Sequence, residues 1–369
     1  METNMLPFSD DLGPRKIIHI YNPQSGLKAI VAIDNVAAGP AIGGVRMAPD
    51  VTQEEAFRLA RAMTLKNAAA GLAHGGGKSV IQADPKILTM GQKETLIRTF
   101  ALAIKDLQDY IPGPDMGTDE ICMAWIKDEI NRSVGLPREV GGIPLDEIGA
   151  TALGLMAAAE TSCAFYDVEL VGAKVAIQGF GAVGKHTARF LQNKGAILVS
   201  IADSKGTIHN PKGLNVNQLI AIKEEGGSVM DYPDGDKGDP NAVIATPCDL
   251  WIPAARPDVI HANNVSELKA KLIIQGANIP ITEEAELILF EKGVHVIPDF
   301  IANSGGVICA SVEYHGGTEQ SALEMIRQKI SFNTKAVITQ AKAQNIPARQ
   351  AAEEMAVDRI KKAMRWRRG

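Results

Sequence analysis

Three short segments hold residue types at spacings from which chemistry can be built. The first is Lys66-Asn67-Ala68-Ala69-Ala70-Gly71-Leu72-Ala73-His74-Gly75-Gly76-Gly77-Lys78-Ser79. Its close, Gly77-Lys78-Ser79, suggests a phosphate-binding loop. That motif needs glycine where Leu72 stands and a strand rather than a helical run before it, so nucleoside triphosphate binding is excluded. The three glycines instead let Lys78 reach into a cleft, with Lys66 twelve residues earlier at a helix end. Two neighbouring, partly desolvated cations depress each other's pKa, which is how a lysine becomes a general base near neutrality. On spacing alone, a glycine turn carrying exposed lysines is the alternative. The second segment, Pro112-Gly113-Pro114-Asp115-Met116-Gly117-Thr118-Asp119-Glu120, frames Asp115 with proline and glycine. A carboxylate held so rigidly is either a capping residue or a proton carrier, with Thr118 or Asp119 as the cap of the helix that follows.

The third segment, Gly179-Phe180-Gly181-Ala182-Val183-Gly184, follows a strand-like run and precedes the helix-like 185–192. Glycines there permit a tight turn and close backbone approach, so that a helix N-terminus can hold a pyrophosphate. Asp203, 24 residues after Gly179, ends the next expected strand, where a carboxylate accepts hydrogen bonds from both ribose hydroxyls. That favours NAD, although Ser204 and Lys205 could receive the 2′-phosphate of NADP. A glycine turn that merely packs strand on helix is the alternative.

Positioning these segments requires particular elements. Runs of β-branched residues at 16–21 and 27–33, separated by Asn22-Pro23-Gln24-Ser25-Gly26, predict a hairpin. Thr52-Gln53-Glu54-Glu55 has capping-box spacing and opens a helix with Phe57, Ala60, Met63 and Leu65 on its apolar positions, and a second helix is expected over about 92–107. An α+β unit thus fills the first 145 residues or so. After an alanine-rich helix near 151–165, strands at 174–178, 197–202, 250–253, 272–275 and 294–297 alternate with helices, which predicts a parallel, doubly wound sheet. The stretch 231–239, rich in Gly, Asp and Pro, reads as a surface loop. Helical pattern resumes from Ser321 to Trp366, interrupted at Asn345-Ile346-Pro347, with Pro347 suited to a first turn. Lys361, Lys362, Arg365, Arg367 and Arg368 close it as a solvated face that suits the helix dipole.

Composition bounds the remaining classes. The 369 residues are 46% hydrophobic and 22% charged, which suits two or three folded domains and excludes a disordered or fibrous chain. Lysine and arginine number 38 against 43 acids, a net charge of −5 that offers no basic excess for nucleic acid or an anionic membrane. Cys122, Cys163, Cys248 and Cys309 are widely spaced, so neither a disulfide framework nor a metal site is expected. Residues 1–11 lack the basic start and apolar core of a signal peptide, and the longest apolar run, 148–159, is too short to span a bilayer, so a cytoplasmic protein is expected.

Lys66, Lys78 and Asp115, in this order before a Rossmann unit, resemble the glutamate/leucine/phenylalanine/valine dehydrogenase superfamily. The resemblance covers nearly the whole chain through Gly39-Pro40-Ala41-Ile42-Gly43-Gly44-Val45-Arg46, Met63-Thr64-Leu65-Lys66-Asn67, Gly75-Gly76-Gly77-Lys78, Gly113-Pro114-Asp115-Met116-Gly117-Thr118, Gln275-Gly276-Ala277-Asn278 and Asn303-Ser304-Gly305-Gly306-Val307. It implies two domains: residues 1–145 for substrate binding and oligomerisation, joined by returning helices over 335–369, and a dinucleotide-binding domain over 146–334. It further implies reversible oxidative deamination of an L-amino acid to a 2-oxo acid and ammonia, with NAD as cofactor and NADP as the alternative, in a homo-oligomer. Lys66 would bind the α-carboxylate, Lys78 would activate the attacking water, and Asp115 would exchange a proton with the amine. Thr151, Asn278 and Asn303 match positions beside the dinucleotide.

The glutamate branch of the resemblance carries a lysine at the position of Ile42 and a serine at that of Ala310, and these hold the γ-carboxylate. Here both are apolar, so the expected substrate is leucine, valine or isoleucine. Met123-Ala124-Trp125, Asp203-Ser204-Lys205-Gly206 and Ile252-Pro253-Ala254-Ala255 look instead like the glutamate branch, which keeps glutamate as the alternative. A catalytically silent sensor or assembly subunit is a third reading, opposed by the retention of Lys66, Lys78 and Asp115.

Overall fold

The computed structural model describes residues 8–367. Residues 1–7, part of the leader reading, and Arg368 of the basic cluster lie outside them. The chain divides into two compact units. One takes in the chain up to Pro144, Val307–Ala322 and the chain from Glu354 onward; the other is Leu145–Gly306 with Leu323–Glu353. The sequence sets the boundary after residue 145 and returns 335–369 to the first domain, whereas the compact division falls after Pro144 and returns two shorter segments.

The first unit contains β1 (Lys16–Asn22), β2 (Leu27–Asn35), β3 (Ala41–Ala48), α1 (Gln53–Ala69), β4 (Gly75–Gln82), α2 (Met90–Ala103), β5 (Tyr110–Pro114) and α3 (Glu120–Ile130). Its sheet runs β1-β2-β4-β3-β5. The expected hairpin is present as the antiparallel pair β1 and β2, and Asn22 Oδ1 tightens its turn by accepting from the Gln24 and Ser25 N–H groups. Alternation along β2 and β4 then sorts side chains by face. Ala32 and Val80 meet Ala56 and Ala60 of α1, while Val31, Ile33 and Ile81 join a core containing Phe100 of α2 and Met123 of α3. Full burial of a side chain such as Phe100 contributes about 1.5–3 kcal/mol. Thr52 caps α1 by accepting from the Glu55 N–H, and the helix expected to begin near 92 starts at Met90 behind a Thr89–Gln92 capping box.

In the first chemistry-bearing segment the glycine-turn alternative does not hold. Gly75–Lys78 is no turn but the start of β4, which pairs parallel with β3. Its glycines are there because the neighbours press in: a Cβ on Gly76 would lie 2.0 Å from the Thr64 backbone N of α1, and one on Gly77 would lie 2.8 Å from Tyr110 Cδ2. A side chain would push α1 off the sheet at Gly76 and displace the Tyr110 ring at Gly77.

The second unit begins with α4 (Ala150–Phe165) and continues through β6 (Lys174–Gln178), α5 (Ala182–Asn193), β7 (Ile197–Ala202), β8 (Thr207–His209), α6 (Val216–Glu224), β9 (Asp236–Gly238), β10 (Cys248–Pro253), β11 (Ala270–Ile274), α7 (Glu283–Glu291), β12 (His295–Ile297) and α8 (Asp299–Ala302). The sheet order is β12-β11-β10-β6-β7-β8-β9. Five strands are parallel, as the alternation predicted, and β8 and β9 add an antiparallel edge. Strand β9 lies inside the expected surface loop; its Asp-Lys-Gly sequence carries no strand signal, and pairing with β8 alone makes it one. Strand order reverses between β6 and β10, and the crevice beyond the carboxyl ends of such strands is where doubly wound sheets bind ligands. The chain closes with α9 (Gly305–Tyr314), α10 (Glu319–Gln344) and α11 (Ala348–Met364), Pro347 standing just before the last. Among the described residues no helix is long and apolar enough to cross a membrane.

Candidate active site

In the first unit, the parallel strands β3, β4 and β5 bring Arg46, Lys78 and Asp115 together. Lys78 Nζ lies 2.6 Å from Asp115 Oδ2, and Arg46 Nε lies 3.0 Å from the same oxygen. Both cations reach the same carboxylate oxygen, Oδ2. Arg46 is itself held by Glu55 of α1, Nη1 to Oε1 at 2.6 Å. Gly44 makes room for the pair, since a Cβ there would lie 2.7 Å from Asp115 Cβ and 3.1 Å from Lys78 Nζ.

The capping alternative for Asp115 fails. Asp119 caps α3 by accepting from the Cys122 N–H, whereas Thr118 Oγ1 accepts from the Asp115 N–H and donates to the Val45 carbonyl. Asp115 is thereby pinned through its backbone, with its carboxylate directed at Lys78. Burial pushes the Lys78 pKa below the ordinary lysine value, with Arg46 adding to that effect and Asp115 pulling against it. Burial would raise the Asp115 carboxyl, but Lys78 and then Arg46 outweigh it and hold the group below the usual carboxylate range. Lys66 stands half-buried in the last turn of α1. Arg46, given no catalytic place by sequence reasoning, is the cation sharing the carboxylate with Lys78. Period-two alternation along β3 could have found it, because Ile42, Gly44 and Arg46 share a face.

Ile42 and Ala310 do meet. They form a buried cluster with Ile111 of β5 and Val134, all four 8% exposed or less. Ile111 and Val134 escaped notice because neither lies in a motif.

In the second unit, the Gly179–Gly184 turn has the shape a pyrophosphate requires. Gly179 takes φ 98° and packs on Ala254 and Ala255 after β10, and a Cβ on Gly184 would lie 1.9 Å from the Gly179 carbonyl oxygen. Gly181 opens α5 without a side-chain cap, and a Cβ there would meet nothing within 4 Å. The helix N-terminus thus faces open space, and the residues fit a dinucleotide phosphate. Phe180 is buried and anchors the turn, while Ala182 is exposed and Val183 half-buried. Asn303 Nδ2 donates to Asn278 Oδ1 at 3.1 Å and to the Gly276 carbonyl at 3.2 Å. Thr151, in the first turn of α4, packs against Gly306. A residue that sequence reasoning missed stands behind them: Arg349 binds Gln275 Oε1, Glu286 Oε2 and Asp299 Oδ1 at 2.7–2.9 Å, and Asp299 Oδ2 accepts from the Ile279 N–H. Its 74-residue separation from Gln275 leaves no sequence signal.

Asp203 departs from expectation. Its Oδ1 accepts from the Lys205 N–H and Ser228 Oγ, and its Oδ2 from Lys223 Nζ and the Val229 N–H, each at 2.9–3.0 Å. Its side chain is only 7% exposed. A carboxylate with four donors from its own chain ties the β7–β8 turn to the segment after α6, and its charge is offset by Lys223. The ribose role inferred from spacing requires acceptor capacity that these donors occupy.

A family model described as Glu/Leu/Phe/Val dehydrogenase, dimerisation domain, matches residues 14–132, and one described as Glutamate/Leucine/Phenylalanine/Valine dehydrogenase matches residues 141–368. The chain is 39% identical over 356 residues to a glutamate dehydrogenase of Aeropyrum pernix, which covers 90% of this chain and 85% of that protein. It is 37% identical over 353 residues to the NADP-specific glutamate dehydrogenase of Saccharolobus shibatae, covering 90% and 83%. Among solved structures, the hetero-hexameric glutamate dehydrogenase of Thermus thermophilus in its Leu-bound form matches with a TM-score of 0.85 at 28% identity, over 96% of this chain and 90% of that one.

Proposed function

Because this chain belongs to the glutamate/leucine/phenylalanine/valine dehydrogenase family and is an NAD(P)-dependent amino acid dehydrogenase, we propose that it oxidatively deaminates an aliphatic L-amino acid. The observation that carries the substrate is the buried cluster of Ile42, Ile111, Val134 and Ala310. A glutamate side chain placed there would bury a carboxylate among aliphatic groups, at a cost of several kcal/mol, whereas each leucine or valine carbon gains about 0.8 kcal/mol. Glutamate is the second reading, favoured by the names of the similar proteins. A silent sensor is disfavoured by the 2.6 Å contact between Lys78 and Asp115, which a protein that only binds has no need to keep.

In this reading Lys66 pairs with the substrate α-carboxylate. A bound dinucleotide would supply the hydride acceptor through which the substrate Cα–N bond is oxidised to an iminium. Lys78 removes a proton from the water that adds to that carbon, and Asp115 exchanges a proton with the nitrogen. Ammonia then leaves and the 2-oxo acid remains. Lys78 works as a base only when deprotonated, which its burial favours. Initial rates with leucine, valine, isoleucine, phenylalanine, alanine and glutamate, each with NAD and NADP, test the proposal. An aliphatic substrate is expected to have the highest kcat/KM, and a best rate with glutamate would overturn the pocket assignment.

Cofactor choice follows from Asp203. With Lys223 offsetting its charge, the carboxylate repels a 2′-phosphate only weakly, so both dinucleotides are expected to serve, NAD somewhat better. Lys223→Met removes the offset. One uncompensated charge about 4 Å away is worth about 1 kcal/mol in water-like surroundings, so the NADP to NAD ratio of kcat/KM should fall about fivefold. An unchanged ratio would show that the 2′ position lies out of reach of this carboxylate. Assembly as a homo-oligomer is proposed from the match to the dimerisation-domain model.

A further inference from the structure

We infer that Glu313 is the positioning residue that sets the width of the side-chain pocket. The inference rests on the assignment of Ile42, Ile111, Val134 and Ala310 as that pocket, and it concerns what holds the walls in place. Glu313 lies three residues after Ala310 on α9, a spacing that puts the two on adjoining parts of one helix face. Its carboxylate reaches off the helix to the segment after α3. Oε1 accepts from the Gly135 N–H at 2.7 Å and the Leu136 N–H at 3.3 Å, and Oε2 accepts from the Ile143 N–H at 2.7 Å. That segment carries Val134.

The other side of the segment is pressed on β5. The Val134 N–H donates to the Pro112 carbonyl at 2.9 Å. A Cβ on Gly135 would lie 2.5 Å from Pro114 Cδ, and one on Gly113 would lie 3.2 Å from Val134 Cγ2. Three walls of the pocket are thereby linked: Ile111 on β5 through the backbone of Val134, and Ala310 on α9 through Glu313. Leu136 and Ile143 are each 5% exposed, and buried backbone donors need an acceptor, so the carboxylate is the group that lets this segment close down on α9. With the tie cut, Val134 and Ala310 are free to separate, and the pocket should stop rejecting side chains larger than leucine. Sequence reasoning had no means of seeing this, because Glu313 lies outside every motif and its three partners are backbone groups about 170 residues away.

The test uses Glu313→Gln and Glu313→Ala in the full chain, with kcat and KM measured separately for valine, leucine, phenylalanine and glutamate under saturating NAD. The expected result is a kcat for leucine near that of the unaltered enzyme, a raised KM for valine and leucine, and a leucine to phenylalanine ratio of kcat/KM lowered about tenfold or more in the alanine variant. Glutamine keeps one carbonyl acceptor and should fall between the two. An equal loss for every substrate, or no change in any ratio, would overturn the proposal, as would failure of both variants to fold, which would assign Glu313 to stability alone. The panel on the unaltered enzyme judges the aliphatic reading by itself. Should glutamate prove the preferred substrate there, that reading falls, and Glu313 is still judged by whether its variants shift the ratio of glutamate to leucine.

Discussion

Lys78→Ala is expected to lower kcat for deamination by about 10² to 10⁴, the range in which removal of a positioned general base falls. The amine sits at the end of a side chain on β4 whose backbone pairs do not depend on it. Asp115 keeps Arg46 as a partner at 3.0 Å, so the vacated space is not left beside an uncompensated charge. The fold and dinucleotide binding should therefore survive, measured by the thermal transition and by fluorescence titration of the reduced cofactor. Turnover within tenfold of the unaltered enzyme would remove Lys78 from the chemistry. The pH profile supplies a second readout. Because the base acts deprotonated, kcat/KM for deamination should rise with pH through the Lys78 pKa, and burial places that rise below the ordinary lysine range. A rise centred at the pKa of a free lysine would mean that the amine is solvated during turnover.

Much of the frame that positions Lys78 is legible in the sequence, and the illegible parts share a cause. The β1–β2 hairpin can be read because β-branched residues alternate on both sides of a turn cluster, and α1 because Thr52 and Glu55 stand at capping distance. The parallel strands of the second unit are buried apolar runs bounded by turns, and glycine spacing marks the pyrophosphate turn. Strand β4 resists reading because its residues answer to tertiary neighbours. Gly76 is glycine on account of Thr64, and Gly77 on account of Tyr110. A strand without side chains has no alternation to detect. For Asp203, spacing gives the position at the end of β7 but not the engagement, since its side-chain donors Lys223 and Ser228 come from a later helix and the segment behind it. The same holds for Arg349 and Glu313, whose partners lie 50 to 178 residues away. Motif spacing marks the groups proposed to meet substrate, while the groups that hold the surrounding walls are distributed by the fold.

The combination Ile42→Lys with Ala310→Ser is expected to turn the preference from leucine toward glutamate by about 10³ or more in the ratio of their kcat/KM values, the scale reached when a site gains polar partners for one substrate and leaves them unpaired for the other. Both residues lie in the same buried cluster. An ammonium there would meet the γ-carboxylate of glutamate, and the serine hydroxyl would supply a donor beside it. With leucine bound the ammonium would face Ile111, Val134 and a single neutral hydroxyl, and burying that charge without a counter-ion costs several kcal/mol. That cost falls on the free enzyme too, so the double variant should unfold at a lower temperature and recover part of the loss when glutamate is added. Ala310→Ser alone should change little, because a hydroxyl can return its hydrogen bond to the helix carbonyl four residues back. Full glutamate efficiency is not expected, since Ile111 and Val134 still line the pocket. Were the double variant to fold and yet retain the original ratio, the distal end of the substrate would lie elsewhere. Arg46, already shared between Asp115 and Glu55, would then be the cation to test against the distal carboxylate.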